Sequence, residues 1–496
     1  MVNLNNAGGL LGGVAAVLVL STTAARADYT TTVVPTTHWG KWAGWGSSLA
    51  WWANIWGNRD DMADVVYTLK TVSLKDSTGT ELLPGLGFNV ARYNVGGTGF
   101  AQITVNGKVH QPNNPPSQKP ATQIQTYWLN PDSHDPKSAS WNWSVDANQR
   151  LMMQKAKARG ANIFEMFSNS PPWWMCYNSS TAGSSEGTND NLMPWAYQPF
   201  ADYLAAVAKR AHDHWGIDFA SVEPFNESTS NWWRYPGSQE GCHFDVSTQN
   251  AVIVDLREAL NAHGLKSTPI AASDENTVDL ALDTWRHRTP TARHDVAKIN
   301  THGYQGGGGD RAGLYLAARN SGKVLWNSEY GEGDASGLSL ATNLTLDLRV
   351  MHPSVWCYWQ PFDGGGWGLV QADRNTGFVG TPNPKYFVLA QFTRHIRPGM
   401  TMVDSGDANT VAAYNSAQHQ LVLVTTNHGT PQWITYNLSA YIAVHGNTGG
   451  KITRWETQTG SGDKYSVHND TQLSGKQFKC YFPANTVQTF VVNGVK

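Results

Sequence analysis

The sequence predicts an α/β protein, a (β/α)8 TIM barrel with a C-terminal side β-sandwich domain. Short apolar runs recur from about Gly44 to Pro361, and helical patterns lie between several of them. This alternation is typical of parallel strands joined by crossover helices. Beyond about Arg397 the pattern changes to short alternating strands separated by turn residues. A chain of 496 residues is long enough for one barrel and one smaller domain.

Eight apolar runs predict the eight strands of a closed barrel. They are Gly44–Trp52, Asn89–Val95, Asn162–Ser168, Phe219–Phe225, Pro269–Ser273, Lys298–Tyr304, Val324–Ser328 and Val355–Gln360. Amphipathic periodicity predicts helices at Asn148–Arg159, Phe200–His214, Ala251–His263 and Arg311–Arg319. The connection between the first two runs has the weakest helical pattern.

Short alternating segments near the C-terminus predict a compact β-sandwich, which the stretch after Asp28 would complete. These segments are Val411–Tyr414, Gln420–Thr425, Trp433–Leu438, Ile452–Thr457, Phe478–Phe482 and Val487–Val492. The predicted organisation is a signal peptide over 1–27, a segment over 28–43 that joins the side domain, a barrel over 44–396 and a β-sandwich over 397–496.

The first residues have the pattern of a secretory signal. An apolar run from Leu10 to Leu20 is followed by Ala25-Arg-Ala27, an Ala-x-Ala cleavage pattern. The run is too short to span a membrane. We therefore expect a secreted, extracellular protein without a membrane anchor.

The charge of the chain argues against two classes of partner. The formal net charge is only -2, and the lysines and arginines do not cluster. A nucleic-acid or anionic-lipid binder usually carries a basic stripe or patch. We expect neither partner, and we expect a monomer.

The four cysteines allow three complete pairings in an oxidising compartment. We expect a Cys176–Cys242 disulfide, because each cysteine follows a strand end closely and neighbouring strands would bring these loops together. Cys357 lies inside an apolar run and is predicted to be a free buried thiol. No Cys-x-x-Cys or His-x-x-x-His spacing occurs in the sequence, so we expect no metal and no cofactor.

Tryptophan is unusually abundant, with 22 residues, and many of them lie in predicted loops. Trp173, Trp232 and Trp367 are examples that could stack on the apolar faces of sugars. Because tryptophan also fills cores, about half of the total is assigned to packing.

Two glutamates, Glu227 and Glu329, each follow or end a predicted barrel strand. A glycosidic bond can be cut by one carboxylic acid that protonates the leaving oxygen and one carboxylate that attacks the anomeric carbon. Arg92 and Tyr304 would favour the charged form of Glu329, which suits a nucleophile. A like charge nearby would keep Glu227 protonated as the acid, which then acts as the base.

Other residues at strand ends are candidates for substrate binding or support, because the carboxyl ends of barrel strands form the active site. They are Arg92, Asn94, Asn169, Trp173, Asn226, His302, Tyr304 and Trp359. Asn226 could bond a sugar 2-hydroxyl. Glu165 and Glu223 precede their strand ends, so a structural role is predicted for both.

Several motifs, taken together, resemble glycoside hydrolase family 30, most closely its subfamily 5, the endo-β-1,6-galactanases. They are Gly44-Trp-Gly-Ser-Ser-Leu-Ala-Trp-Trp52, Arg92-Tyr-Asn-Val-Gly-Gly97, Ser170-Pro-Pro-Trp-Trp-Met175, Glu223-Pro-Phe-Asn-Glu227, Trp326-Asn-Ser-Glu329 and Pro483-Ala-Asn-Thr-Val-Gln-Thr-Phe-Val491. The resemblance spans nearly the whole mature chain. It implies a retaining barrel hydrolase with a side β-domain, with Glu227 as acid/base and Glu329 as nucleophile.

Substrate choice is less determined, because members of this family also act on glucosyl ceramides, β-1,6-glucans, xylans and fucosides with the same catalytic pair. Glucosyl-acting relatives carry an acidic residue where this chain has Gly99 before Phe100. Its loss could leave space for an axial galactose 4-hydroxyl, or it could be a simple loop difference. The expected substrate is β-1,6-galactan, as in arabinogalactan side chains. The alternatives are a β-1,6-glucanase or β-glucosidase and, more remotely, a non-catalytic carbohydrate-binding protein.

Overall fold

The computed structural model describes residues 28–105 and 107–496, and it contains a closed eight-stranded parallel barrel. Each strand pairs with its neighbours in the chain, and the eighth pairs with the first, Trp356 opposite Trp45. The strands are Gly44–Ser48, Val90–Asn94, Ile163–Phe167, Ser221–Glu223, Ile270–Glu275, Val296–His302, Val324–Tyr330 and Val355–Tyr358. Each predicted run overlaps one of them, so the predicted barrel is confirmed. The predicted signal peptide over 1–27 lies outside the described residues.

The barrel strands are buried along nearly their whole length, as in Val90–Asn94. Parallel strands covered on both faces are expected to have such continuous burial. The covering helices are Trp52–Trp56, Asp60–Tyr67, Ala147–Ala158, Tyr197–Arg210, Val246–Ala262, Val278–His287, Pro290–Asp295, Arg311–Asn320, Leu338–Leu346 and Pro384–Thr393. Within residues 28–105 and 107–496, no helix has the length and apolar character needed to cross a bilayer.

Each of the four predicted helices overlaps one of these, and the other helices were not predicted. The first connection holds Asp60–Tyr67 and a hairpin of Thr71–Asp76 with Gly79–Pro84. Pro384–Thr393 was not predicted because every residue after Pro384 is buried, so it has no polar face to reveal a helical period. The barrel loops also contain two small sheets. One pairs Ile103–Val105 with Lys108–His110, and the other contains Phe362–Asp363, Val370–Asp373 and Phe378–Pro382.

The side domain consists of two sheets. One contains Val34–Lys41, Thr401–Asp404, Thr410–Asn415, Gln420–Asn427, Thr486–Asn493, Lys451–Gln458 and Ser466–Gln472, in that spatial order. The other contains Tyr29–Thr32, Gln432–Asn437 and Gln477–Phe482. Apolar residues from both, among them Ile434, Phe478 and Phe490, form one core. Both sheets therefore include a strand from the stretch after Asp28.

The barrel and the side domain share a continuous apolar interface. Val411, Val422 and Val487 of the side domain belong to the same buried cluster as the barrel residues. The helix Pro384–Thr393 lies against this interface, where Gln391 donates to Thr457 Oγ1 at 2.9 Å and accepts from Thr489 Oγ1 at 2.6 Å. The two units therefore pack as one body around this helix.

The predicted Cys176–Cys242 disulfide is wrong in this structure, which has four free, buried cysteines. The two loops do approach, since Ala182 is bridged to Gly241. The thiols themselves contact other groups, however. Cys176 Sγ lies 3.8 Å from the carbonyl oxygen of Pro172, and Cys242 Sγ lies 3.4 Å from its neighbour's carbonyl oxygen. Cys357 is a free buried thiol, as predicted.

Candidate active site

Glu227 and Glu329 meet at the carboxyl end of the barrel, beyond strand four and within strand seven. One carboxylate oxygen of each lies within 4.8 Å of the other, and His302 has a ring nitrogen within the same distance of both. This is the face at which TIM-barrel enzymes place their catalytic groups. The structure therefore brings the two predicted carboxylates into a single buried site.

Glu227 is held on both its backbone and its side chain. Its φ of 49° is uncommon for a residue other than glycine, and its amide donates to Asp274 O at 2.7 Å. Its Oε1 accepts from Asn276 Nδ2 at 2.6 Å and lies 3.1 Å from His302 Nδ1. The Trp233 indole donates to its carbonyl oxygen at 2.9 Å. These contacts fix the direction of the carboxyl group.

Glu329 accepts two hydrogen bonds, from Tyr304 Oη to Oε1 at 2.9 Å and from Arg92 Nη1 to Oε2 at 3.4 Å. Burial raises the pKa of this carboxyl to about 7, although the positive charges of His302 and Arg92 oppose the rise. The sequence led us to expect a low pKa. The expected partners are present, but desolvation of the buried carboxylate outweighs them.

His302 lies between the two carboxylates. Its Nδ1 is 3.1 Å from Glu227 Oε1 and 3.5 Å from Glu329 Oε1, and its Nε2 is 3.2 Å from Asp274 Oδ1. Burial disfavours the charged imidazolium, but Glu329 and Asp274 together raise the pKa of His302 well above its ordinary value. The ring is therefore a buried cation near neutral pH.

Arg92 forms a layer of ion pairs below this site. Its Nε donates to Glu165 Oε1 at 2.9 Å and its Nη2 to Asp274 Oδ2. Glu165 also accepts from Lys298 Nζ and from Asn300 Nδ2 at 3.0 Å. Burial would raise the pKa of Glu165, but Lys298 and Arg92 lower it below its ordinary value. Glu165 is thus an anion that orients Arg92, which fits the structural role predicted for it.

Two predicted substrate contacts are used within the protein instead. Asn94 Nδ2 donates to Glu240 Oε2 at 3.2 Å, and its Oδ1 accepts from the Asn169 amide at 3.2 Å. Both ends of this amide are therefore occupied. Trp173 is only 1% exposed, so it offers no open platform for a sugar.

The buried polar atoms near the strand ends that have no hydrogen-bond partner in the described part of the chain include Asn169 Nδ2, Asn226 Oδ1 and Trp51 Nε1. Trp51 packs edge-on against the half-buried Trp359, with ring centroids 6.3 Å apart. Because buried polar groups normally have partners, these atoms are free to bond a ligand.

Two loop tryptophans near the catalytic groups remain exposed. Trp232 is 48% exposed and contacts Trp233, the residue bonded to Glu227. Trp367 is 40% exposed and lies 6.5 Å from the Tyr304 ring. One exposed indole therefore lies on the Glu227 side of the site and one on the Glu329 side.

Gly99 is tied to the packing of Trp173. A Cβ atom at Gly99 would lie 2.0 Å from Trp173 Nε1, which is far inside any allowed contact. The expectation that this glycine leaves space for a sugar hydroxyl is therefore wrong, because the indole occupies that space.

Sequence reasoning missed Asp274, Asn276 and Glu240. Asp274 lies near the end of the fifth barrel strand and Asn276 directly follows it, so the strand-end rule applied to Ser273-Asp-Glu-Asn276 would have found them. Glu240 lies in a long loop and accepts from the amides of Gly97 and Thr98. No spacing in the sequence indicates that contact.

Two groups in residues 28–105 and 107–496 have three metal-ligand atoms within 4.8 Å of one another. They are Glu227 with His302 and Glu329, and Asp190 with His243 and Asp245. In the first group, both carboxylates already accept hydrogen bonds from the protein. In the second, Asp190 accepts from the Asp245 amide and from Thr248. Protein donors therefore account for the arrangement of both groups.

Comparisons with known proteins show the family of the chain and agree with its fold. The sequence model of O-glycosyl hydrolase family 30 matches residues 28–284. An endo-β-1,6-galactanase from Hypocrea rufa is 50% identical over 478 residues, covering 96% of this chain and 97% of the relative. The catalytic domain of a family 30 xylanase C from Talaromyces cellulolyticus superposes with a TM-score of 0.67 at 20% identity, covering 94% of this chain and all of that chain. A conserved exported protein from Bacteroides fragilis superposes with a TM-score of 0.74 at 18% identity, again covering 94% of this chain and all of that chain.

A TIM barrel whose strand ends bring two carboxylates together, with an attached β-domain, defines a glycoside hydrolase. The chain belongs to glycoside hydrolase family 30.

Proposed function

We propose that the protein is a retaining endo-β-1,6-galactanase that cleaves β-1,6-galactosyl linkages in galactan and arabinogalactan side chains. The observation that carries this proposal is the 50% identity to the Hypocrea rufa endo-β-1,6-galactanase over nearly the full length of both chains. Export through residues 1–27 and action as a monomer belong to the same proposal.

Glu227 acts as the acid in the first step. Asn276 and His302 both contact its Oε1, which leaves Oε2 for the glycosidic oxygen. A protonated Glu227 gives its proton to the leaving oxygen. It then takes a proton from the water that enters the site, acting as the base in the second step.

Glu329 acts as the nucleophile. It forms a bond to the anomeric carbon as the bond to the leaving oxygen breaks, and the resulting galactosyl ester is later hydrolysed. The separation within 4.8 Å supports this double displacement, since carboxyl groups about 5 to 5.5 Å apart are typical of retaining enzymes and larger gaps of inverting ones. Tyr304 and Arg92 hold the attacking carboxylate in place.

The unpartnered amides of Asn226 and Asn169 supply hydrogen bonds to the sugar in the cleavage subsite. Asn226 precedes the acid/base in the chain, so it is suited to a hydroxyl next to the anomeric carbon. Such contacts can strengthen in the transition state.

Product analysis tests the proposal. The mature protein, the Glu329→Gln variant and the surface control Glu258→Gln are incubated with de-arabinosylated arabinogalactan and with a β-1,6-glucan. We expect galacto-oligosaccharides from the wild type and the control only. Cleavage of glucan but not galactan would contradict the assignment of galactan as the substrate. Activity of the Glu329→Gln variant would contradict the role of Glu329 as the nucleophile.

A further inference from the structure

A cavity of about 330 Å³ opens on the side β-domain, and all of its lining residues belong to that domain. It lies where the strand Gln477–Phe482 of the small sheet faces the hairpin Lys451–Gln458 and Ser466–Gln472 of the large sheet. None of the catalytic residues described above contributes to it. The cavity is therefore separate from the active site.

Two exposed aromatic residues form one wall of this cavity. Trp433 and Tyr481 are opposite each other on paired strands, with ring centroids 5.4 Å apart and planes tilted by 57°. They are 42% and 44% exposed, whereas their chain neighbours Ile434 and Cys480 point into the domain core. Two adjacent exposed rings offer a large apolar surface with polar edges, which suits the C-H faces of sugar rings.

The polar part of the cavity is charged but balanced. Arg454, whose side chain is 7% exposed, donates to Asp470 at 2.6 Å and also to Glu456. Lys479 lies 5.0 Å from the centre of the Trp433 ring. Two cations thus face two anions, so the lining has no excess charge to attract an ionic ligand. The paired groups can still bond hydroxyls.

His468 adds an uncommitted polar atom. The residue lines the cavity, and its Nε2 is buried and has no hydrogen-bond partner in the part of the chain that the structure describes. A buried ring nitrogen without a partner is suited to a hydroxyl, which can donate to it or accept from it.

We propose that this cavity is a second carbohydrate-binding site, which holds a neutral stretch of the polysaccharide while the barrel cleaves elsewhere. That the bound polysaccharide is β-1,6-galactan rests on the proposed function, whereas the preference for a neutral glycan rests on the cavity alone. The apolar rings select sugar faces, and the balanced charges exclude anionic polymers as the favoured ligand.

Affinity electrophoresis in gels that contain β-1,6-galactan tests the site. The Glu329→Gln protein is used so that the polymer is not hydrolysed, and it is produced in a bacterial host so that the sequon at Asn469, next to Asp470, carries no glycan. We expect the additional pair Trp433→Ala and Tyr481→Ala to weaken retention about tenfold, as measured by the apparent Kd. Trp433→Phe with Tyr481→Phe should restore most of it.

Controls separate this inference from the proposed function. Phe378→Ala removes an exposed aromatic residue of the barrel and should leave retention unchanged. Equal retention of the Trp433/Tyr481 alanine variant and its parent would overturn the second site. Failure of the galactanase proposal would show differently, as an absence of galactan products from the wild type. A gel with an anionic polygalacturonate should retain the protein less than the galactan gel, and the reverse result would overturn the neutral-glycan assignment.

Discussion

His302 bridges the two carboxylates of the site, since its imidazole lies within 3.5 Å of an oxygen of both Glu227 and Glu329. A buried cation in this position stabilises the ionised form of Glu329, whose pKa burial has raised to about 7. It also restricts Glu227 to one orientation. His302 was expected to bind or support the substrate, and its contacts indicate that it acts through the two carboxylates.

Replacing His302 by Asn should move the pH dependence of the reaction. Glu329 must be ionised to attack, so kcat/KM rises with pH through its pKa. The cation lowers that pKa, and its loss raises it, so the ascending limb of the profile should shift to higher pH. The measurement is kcat/KM across the acidic and neutral range. An unshifted limb, or the same shift in the exposed control His287→Asn, would contradict this role.

Replacing Glu227 by Ala should remove general acid-base catalysis. We expect kcat on galactan to fall about 10² to 10⁴-fold, the usual contribution of such a group. Aryl galactosides with good leaving groups need little protonation, so they should still form the ester on Glu329. Added azide should then restore turnover and give a galactosyl azide of retained configuration, which NMR can identify. A product of inverted configuration would exclude the double displacement.

At the scale of elements, the loops after the barrel strands contain most residues of the site, and the packing between these loops limits which residues they can carry. The loop after strand two needs glycine at position 99 because the indole of Trp173, from the loop after strand three, fills the space beside it. The two loops therefore form a matched pair. Any side chain at this position requires a different placement of the tryptophan.

Gly99→Ala should destabilise the protein by about 1 to 3 kcal/mol, the usual cost of overpacking a buried position. It should also lower kcat/KM, because the strand-end loops next to the catalytic residues must shift. Urea unfolding and steady-state kinetics measure the two effects. Gly307→Ala is the matched control, since a Cβ atom there meets nothing within 4 Å. Equal stability of the two variants would show that Trp173 moves freely.

The barrel strands were predictable because burial on both faces gives most of them a short run that is rich in apolar residues. The proximity of Glu227 and Glu329 was predictable because both residues lie at strand ends. The Pro384–Thr393 helix was not predictable, because burial of every residue after Pro384 leaves it without a polar face. Nor could the sequence indicate that Asn94 donates a hydrogen bond to Glu240. Glu240 lies in a loop 146 positions later in the chain, and only the folded structure brings the two residues together.

At the scale of the whole molecule, the side domain and the barrel share one buried core. Val411, Val422 and Val487 of the side domain belong to the main buried cluster, and Gln391 of the helix Pro384–Thr393 donates a hydrogen bond to the side domain. Removing residues from Pro398 onward would expose this apolar surface and leave the strands Tyr29–Thr32 and Val34–Lys41 without partners.

That truncation should give an insoluble or strongly destabilised protein. The physical reason is the loss of apolar burial at the interface, which drives folding in proportion to the area removed from water. Soluble yield and the thermal midpoint measure the effect, with the Trp433/Tyr481 alanine variant as a full-length comparison. A truncated barrel that is soluble and fully active would show that the interface is dispensable.

The pairing of Val34–Lys41 with Thr401–Asp404 also sets an order of events during synthesis. Tyr29 bonds Asp407, 378 positions later, so the first strands leave the ribosome long before their partners exist. Domains usually fold as units while the chain emerges. The barrel strands can therefore associate first, while the leading segment waits unpaired. The strands from Thr401 onward then close both sheets around it, so the side domain reaches its native structure only after they have been made.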